Sequence, residues 1–226
     1  MAGKSIFIDT TRCTACRGCQ IACKNWNQNA ASATKNLGSH QNPPDLDGNT
    51  FKLVRFNEVE NDGKVGWYFF PDQCRHCLEP PCKDTAEGYV TDSVIQDEAT
   101  GAIVYKENIK EAPFDEVKQS CPYDIPRVNA KSQPVKCTMC IDRISNGLKP
   151  ACVKSCPTGA MNFGERSEIL QMAKDRLAAL KEKYPKAQLL DADQVRVIYL
   201  VADDPKKYHK NAVASLQRSN GKVATA

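Results

Sequence analysis

Long hydrophobic runs are missing from this 226-residue chain. The longest apolar stretch, Val197-Ile198-Tyr199-Leu200-Val201-Ala202, falls far short of the roughly 20 residues a membrane-spanning helix needs. The start, from Met1 to Asp9, carries no long apolar segment and no cleavage site of the kind an export signal requires. No Gly-x-Gly-x-x-Gly fingerprint for a dinucleotide is present. Gly159-x4-Gly164 begins like a phosphate-binding loop, but Glu165-Arg166 follows where Lys-Ser/Thr is needed. Excess charge is also lacking: 31 Lys and Arg face 27 Asp and Glu, a formal +4, which makes no case for nucleic acid as a partner. Nothing in the chain points to chemistry on a substrate.

Cysteine, by contrast, is abundant, at twelve residues. A small secreted domain would use so many for disulfides, but this chain is long enough to bury a core of its own. The cysteines fall into four groups: Cys13-x2-Cys16-x2-Cys19-x3-Cys23; Cys74-x2-Cys77-x4-Cys82; Cys121 alone; and Cys137-x2-Cys140-x11-Cys152-x3-Cys156-Pro157. A cubane iron–sulfur cluster needs four thiolates converging on one small core. One tight Cys-x2-Cys-x2-Cys loop supplies three, and the fourth comes from the last cysteine of a partner run, often followed by Pro. Cys13, Cys16 and Cys19 form such a triple, with Cys23 spaced as the exchanged ligand. Cys137, Cys140 and Cys152 form the reciprocal run, with an insertion in its loop, and Cys156-Pro157 returns the exchange. A zinc site on Cys137, Cys140, Cys152 and Cys156 is the competing reading and makes a zinc-stabilised interaction module the rival function, but it leaves the Cys13 triple without a role. Disulfides are opposed by the crowding of the triples.

Two hairpins are expected between the cysteine groups. Phe51 to Val59 and Lys64 to Phe70 flank Asn61-Asp62-Gly63, and Val94 to Gln96 and Ala102 to Tyr105 flank Thr100-Gly101. The stretch from Ala30 to Asn49, rich in Asn, Ser, Gly and Pro, reads as a long loop that is functional or packed on a partner. Ser167 to Tyr184 carries Leu170, Ala173, Leu177 and Leu180 at helical spacing, and Val195 to Val201 reads as a strand. From Asn211 to Ala226 no pattern emerges. His76, between two cysteines, reads as a neighbour of the ligands or a surface residue, and Trp26 and Trp67 as core or interface packing. His40, in the long loop, is expected to serve loop packing or to touch a partner.

The segments Ser39-His40-Gln41-Asn42-Pro43-Pro44, Cys74-Arg75-His76-Cys77-Leu78-Glu79-Pro80-Pro81-Cys82, Cys121-Pro122-Tyr123-Asp124-Ile125-Pro126-Arg127 and Cys152-Val153-Lys154-Ser155-Cys156-Pro157-Thr158-Gly159 carry a family likeness. From about Ile6 to Gly164 the chain resembles the iron–sulfur electron-transfer subunits of molybdenum- and tungsten-pterin oxidoreductases. Among these it looks most like the beta subunits of soluble formate dehydrogenases. The likeness implies an α+β fold of two ferredoxin-like halves, with hairpin insertions and a C-terminal helix and strand extension. Residues 1–35 with 129–165 would form the first half, 50–128 the second, and 166–226 the extension.

Such subunits commonly have four groups of four cysteines. Here the positions matching the missing ones are Ala86, Glu111, Phe114 and Val117. By the family's exchange rule all four belong to one site, so a whole site has gone and three complete sets remain. These are Cys13, Cys16, Cys19 and Cys156; Cys23, Cys137, Cys140 and Cys152; and Cys74, Cys77, Cys82 and Cys121. Three [4Fe–4S] clusters with their thiolates would add about −6 and bring the net charge to about −2. The expected role is non-catalytic: electrons pass from a partner subunit, with a molybdenum or tungsten bis-pterin and its own iron–sulfur cluster, to an external acceptor such as a cytochrome c. The same role in a thiosulfate, polysulfide or other respiratory reductase is the alternative. The expected location is the periplasm, reached by co-export with the catalytic subunit, or else the cytoplasm.

Overall fold

The computed structural model describes residues 2–214; the remainder of the C-terminal tail lies outside the described residues. In chain order the regular elements are β1 (Lys4–Asp9), α1 (Gly18–Trp26), β2 (Leu53–Asn61), β3 (Lys64–Asp72), α2 (Pro81–Glu87), β4 (Val94–Gln96) and β5 (Ile103–Tyr105). Then follow α3 (Phe114–Gln119), β6 (Arg127–Val128), β7 (Pro134–Val135), α4 (Ile141–Ile144), α5 (Ala151–Lys154), β8 (Met161–Glu165), α6 (Arg166–Lys181), β9 (Gln188–Leu190) and β10 (Val197–Val201). Helix and sheet are mixed, as an α+β arrangement requires.

The central sheet has the order β8-β1-β10-β9. β1 runs parallel to β10, with Ile6 opposite Val197 and Ile8 opposite Tyr199, and antiparallel to β8. The last strand of the chain is therefore an inner strand beside the first. All five of its residues are buried, which fits a strand covered on both faces, with no polar alternation. On one face Phe7, Ile198 and Leu200 pack with Ile169, Ala173 and Leu180 of α6. On the other, Ile6, Ile8, Val197, Tyr199 and Val201 meet Phe70, Met139, Cys19 and Cys152. Thiols join both clusters: Cys19 and Cys152 on the second face, and Cys74, Cys121 and Cys137 in the cluster that includes α6. The expected helix begins one residue earlier and ends three residues earlier than the leucine spacing suggests. Its deepest contacts come from Ile169, Ala173 and Leu180, with Leu170 and Leu177 at the margin.

Both expected hairpins form. β2 and β3 are joined by Asp62 and Gly63, both with positive φ (49° and 76°), the mirror-image turn that matches strand twist. β4 pairs with β5 in register Ile95 to Val104. The long loop is held down by one face of α1: Arg17 donates to the His40 carbonyl at 2.9 Å, Gln20 to Asn42 at 2.9 Å and Lys24 to Asn49 at 2.8 Å. Arg55 and Arg127 both pair with Asp45 from the other side. Gly48 lies so close to Val128 and Asn129 that a Cβ there would meet backbone atoms at 2.4 Å.

Truncating a residue between sheet and α6 leaves a cavity the rigid sheet cannot close. Ile198→Ala, at a fully buried position, is expected to cost about 2–5 kcal/mol in chemical denaturation. Val65→Ala, at an exposed position of β3, should stay within about 0.5 kcal/mol.

Candidate metal centres

The three Cys-x2-Cys segments share one backbone form. The residue just before the second cysteine has positive φ each time: Ala15 (53°), His76 (48°) and Met139 (58°). None of the three is glycine, so this costly conformation is imposed by what the loop must enclose. It turns the backbone N–H of that residue onto the first sulfur of the segment. His76 N–H lies 3.4 Å from Cys74 Sγ and Met139 N–H 3.4 Å from Cys137 Sγ, and the Ala15 N–H serves Cys13 likewise. The two Cys-Pro segments share a second form, with positive φ three residues after the cysteine, at Asp124 (51°) and Gly159 (65°). Backbone N–H groups again point at sulfur: Ile125 and Tyr123 at Cys121, and Met161, Ala160 and Thr158 at Cys156.

Taken as the expected sets, the thiols would lie in three neighbourhoods. Cys13 is within electrostatic reach of Cys16 and Cys156, and Cys19 of Cys13 and Cys156. Cys23 faces Cys137, Cys152 and Cys140. Cys77 faces Cys74, Cys121 and Cys82, and these four line one small cavity with Arg75, Tyr105, Tyr123 and Lys136 in its wall. Two thiol pairs join the neighbourhoods: Cys19 with Cys152, and Cys137 with Cys74. The three groups therefore form a row. The middle group is wholly buried, whereas Cys16 is exposed at one end and Cys77 half-buried at the other.

Burial dominates the chemistry of these sulfurs. Desolvation, then the repulsion of neighbouring thiolates, pushes Cys19 and Cys121 up to about 12 and drives Cys23, Cys77 and Cys137 well above the ordinary thiol value. Burial opposes ionisation of Cys156 too. There the Thr158 hydroxyl and three backbone N–H groups outweigh it and hold the thiol below its usual value. Thiolates so crowded need a multivalent cationic core among them. A single ion needs its ligands within about 2.3 Å of one centre, and among the described residues no three Cys, His, Asp or Glu side chains gather that way. A cubane makes a different demand, since its thiolates sit on separate irons. Gln73 Nε2, Arg75 Nη2 and the Tyr105 hydroxyl are buried without a hydrogen-bond partner. Arg75 lines the cavity with Cys74, Cys77, Cys82 and Cys121, and Tyr105 lies beside Cys82, so these two are donors available to sulfur. The residues present fit an iron–sulfur group.

The four substituted positions fall in two places. α1 carries Cys19 and Cys23, and α5, packed on α1, carries Cys152 just ahead of Cys156. α2 and α3 repeat this pairing with Cys82 and Ala86 on one helix and Val117 ahead of Cys121 on the other. Ala86 and Val117 are buried in a small apolar core with Val94, Ile103, Ile109 and Ala112. Phe114 is half-buried and Glu111 points to solvent.

Other residues singled out in the sequence have settled places. His76 is fully buried, not at the surface. Its Nδ1 accepts the Ile103 N–H at 3.0 Å, and burial holds it neutral, well below the usual histidine range. Trp26 and Trp67 are not core residues, being 42% and 50% exposed. Trp26 donates to Asp142 at 2.8 Å under the Arg143 guanidinium. His40 lies against Trp67 and Phe56. Spacing gave no hint of Lys52 and Lys136, both buried among the thiols; a lone lysine between apolar residues carries no periodic signal. Asp72, also buried, joins Arg55 Nε at 2.8 Å and Arg75 Nη1 at 3.2 Å. With both its oxygens engaged, it leaves His209 Nε2 at 3.8 Å without a hydrogen bond.

Residues 65–166 match the family described as a 4Fe-4S dicluster domain. The chain is 57% identical to the formate dehydrogenase subunit beta of Megalodesulfovibrio gigas, over 93% of this chain and 99% of that one. It is 53% identical to the formate dehydrogenase 2 subunit beta (cytochrome c-553) of Nitratidesulfovibrio vulgaris, over 92% and 98%. To the formate dehydrogenase-O iron–sulfur subunit of Escherichia coli it is 37% identical, over 90% and 69%.

His209 gives a pH test of this polar hub. Desolvation, helped by Arg55 and Arg75 and only partly opposed by Asp72, lowers it to about 4, against about 6.5 in the unfolded chain. Between those values the unfolded state binds the extra proton, so stability falls as pH drops from 6.5 toward 4. Thermal melts across that window should show a flatter pH dependence in His209→Gln.

Proposed function

From the premise that the chain belongs to the family of formate dehydrogenase beta, or iron–sulfur, subunits, we propose that it is the electron-transfer subunit of a formate dehydrogenase with three [4Fe–4S] clusters. Cys13, Cys16, Cys19 and Cys156 would hold the first, Cys23, Cys137, Cys140 and Cys152 the second, and Cys74, Cys77, Cys82 and Cys121 the third. When bound, such clusters supply one-electron redox chemistry. The observation that carries the reading is the row of thiol groups, buried at its middle and near the surface at both ends. A conduit between two partners needs that arrangement, and a structural metal site does not.

The protein's own contribution is positional. Left-handed loop residues aim backbone N–H groups at sulfur, and donors such as Arg75 Nη2 and the Tyr105 hydroxyl stand ready to stabilise negative charge there. The two apolar clusters on the sheet bury Cys152 and Cys137 of the middle set. We assign residues 1–35 with 129–165 to a ferredoxin-like half with two clusters and 50–128 to a half with one. The apolar core around Ala86 and Val117 stands where the second cluster of that half would be.

The partner is a catalytic subunit with a molybdenum or tungsten bis-pterin and an iron–sulfur cluster of its own. The acceptor is an external carrier, and the cytochrome c-553 in the name of the N. vulgaris relative supports a cytochrome. No helix among the described residues is long and apolar enough to cross a membrane. The proposed location is the periplasm, reached with the catalytic partner.

The test is co-purification with the catalytic partner, metal analysis and formate-dependent reduction of the acceptor. About twelve iron atoms per chain are expected from three four-iron clusters. Cys156→Ala should lower this to about eight and stop electron delivery while the partner's metal site stays loaded. Undiminished delivery in that variant would reject the ligand assignment.

A further inference from the structure

Lys52 and Lys136 are the two buried lysines among the described residues, at 2% and 5% exposure. A buried ammonium is tolerated only where opposite charge surrounds it. Of the buried arginines, Arg55 and Arg75 share Asp72, whereas Arg143, Arg166 and Arg196 lie away from it and donate to backbone carbonyls. The lysines do not use carboxylates: the acceptors around them are neutral. Lys52 donates to the Gln73 side-chain oxygen and, at 3.3 Å, to the Pro71 carbonyl. Lys136 donates to the Ile103 carbonyl and, at 3.3 Å, to that of Cys137, with its Nζ 4.7 Å from the Tyr105 ring centre.

The missing negative charge lies in the thiol groups, and each lysine stands at a different junction of the row. Lys52 Nζ shares the Pro71 carbonyl with the Tyr199 hydroxyl, and Tyr199 packs in the cluster that holds Cys19 and Cys152, the pair that joins the first group to the second. Lys136 precedes Cys137, half of the pair that joins the second group to the third. It also lies in the wall of the third group's cavity, where its charge favours the Cys82 thiolate.

We propose that Lys52 and Lys136 are fixed positive charges set at the two junctions between neighbouring clusters, each raising the reduction potentials of the pair it stands between. The proposal rests on the three-cluster reading. Reduction adds a negative charge to a cluster, and a nearby cation stabilises that state. A cation shared by two neighbours does not abolish the repulsion between their added electrons. It lifts both potentials, which offsets the penalty on reducing the second. The two electrons released by one formate oxidation can then occupy adjacent sites of the row.

The experiment uses the holo complex with its catalytic partner. Iron content and the count of cluster spectra test the underlying reading first: fewer than three clusters in the unaltered complex overturns that reading, not the role of the lysines within it. Cys156→Ala and Cys121→Ala then identify the paramagnetic resonance signals of the first and third clusters. In potentiometric titrations read by those signals, Lys52→Gln should move the first and second midpoints to more negative potential and leave the third in place. Lys136→Gln should move the second and third and leave the first. Lys→Arg at either position should restore most of the shift. Iron lost from Gln variants but kept in Arg variants also supports the proposal, because the charge itself is then required. Unmoved potentials, an equal shift of all three clusters, or iron lost from Gln and Arg variants alike would overturn it.

Discussion

Twelve thiols gathered together, eight of them buried, cannot all become ligands unless their charge is answered. Burial and mutual repulsion push most of them to remain protonated, and only a cationic core with directed donors reverses that preference. Much of the structure follows from this constraint. It explains why non-glycine residues accept left-handed backbone beside the first sulfur of each Cys-x2-Cys segment, since that geometry delivers an N–H to the sulfur. It also explains two buried lysines without carboxylate partners. Asp72 shows a contrasting solution, a carboxylate shared by Arg55 and Arg75.

The same constraint shows why a site disappears whole. A cluster pocket stripped of one ligand would keep three buried, repelling thiols around a void. Ala86 and Val117 instead fill the place between α2 and α3 with apolar contacts, closed by Ile109 and Ala112. On the three-cluster reading, small apolar side chains at both buried positions would stand in for a lost site as ordinary core, which needs no counter-charge. The remaining substitutions are less demanding, because Glu111 faces solvent and Phe114 only half-buries its ring.

The sequence made the local features legible. Cysteine spacing announced the loops, Asp62-Gly63 announced its hairpin, and leucine spacing announced α6 within a turn. Long-range features were not legible. An apolar run such as Val197 to Val201 has the same appearance at an edge or at the centre of a sheet, so the parallel pairing of β10 with β1 could not be read from it. Trp26 and Trp67 failed as core candidates because each satisfies its ring at the surface, one beneath Arg143 and the other against His40. Lys52 and Lys136 escaped notice because burial of a charge depends on what surrounds it in space, and those thiols come from distant segments.

The long loop from Ala30 to Asn49 is where local and long-range logic meet. α1 has nine residues, too few for a stable helix in isolation, yet it carries thiols of two different groups, Cys19 and Cys23. Its orientation must therefore be fixed from outside. The buried face is fixed by the neighbouring thiol groups and α5. The opposite face is fixed by the loop, whose carbonyls at His40, Asn42 and Asn49 accept from Arg17, Gln20 and Lys24. The loop is anchored in turn by Asp45 through Arg55 and Arg127, and Arg55 leads back to Asp72 and Arg75 beside Cys74. A segment without regular structure thus ties the helix holding the first group to the polar hub beside the third. Distances between successive groups then depend on a closed circuit of hydrogen bonds and ion pairs, not on the stability of any single helix.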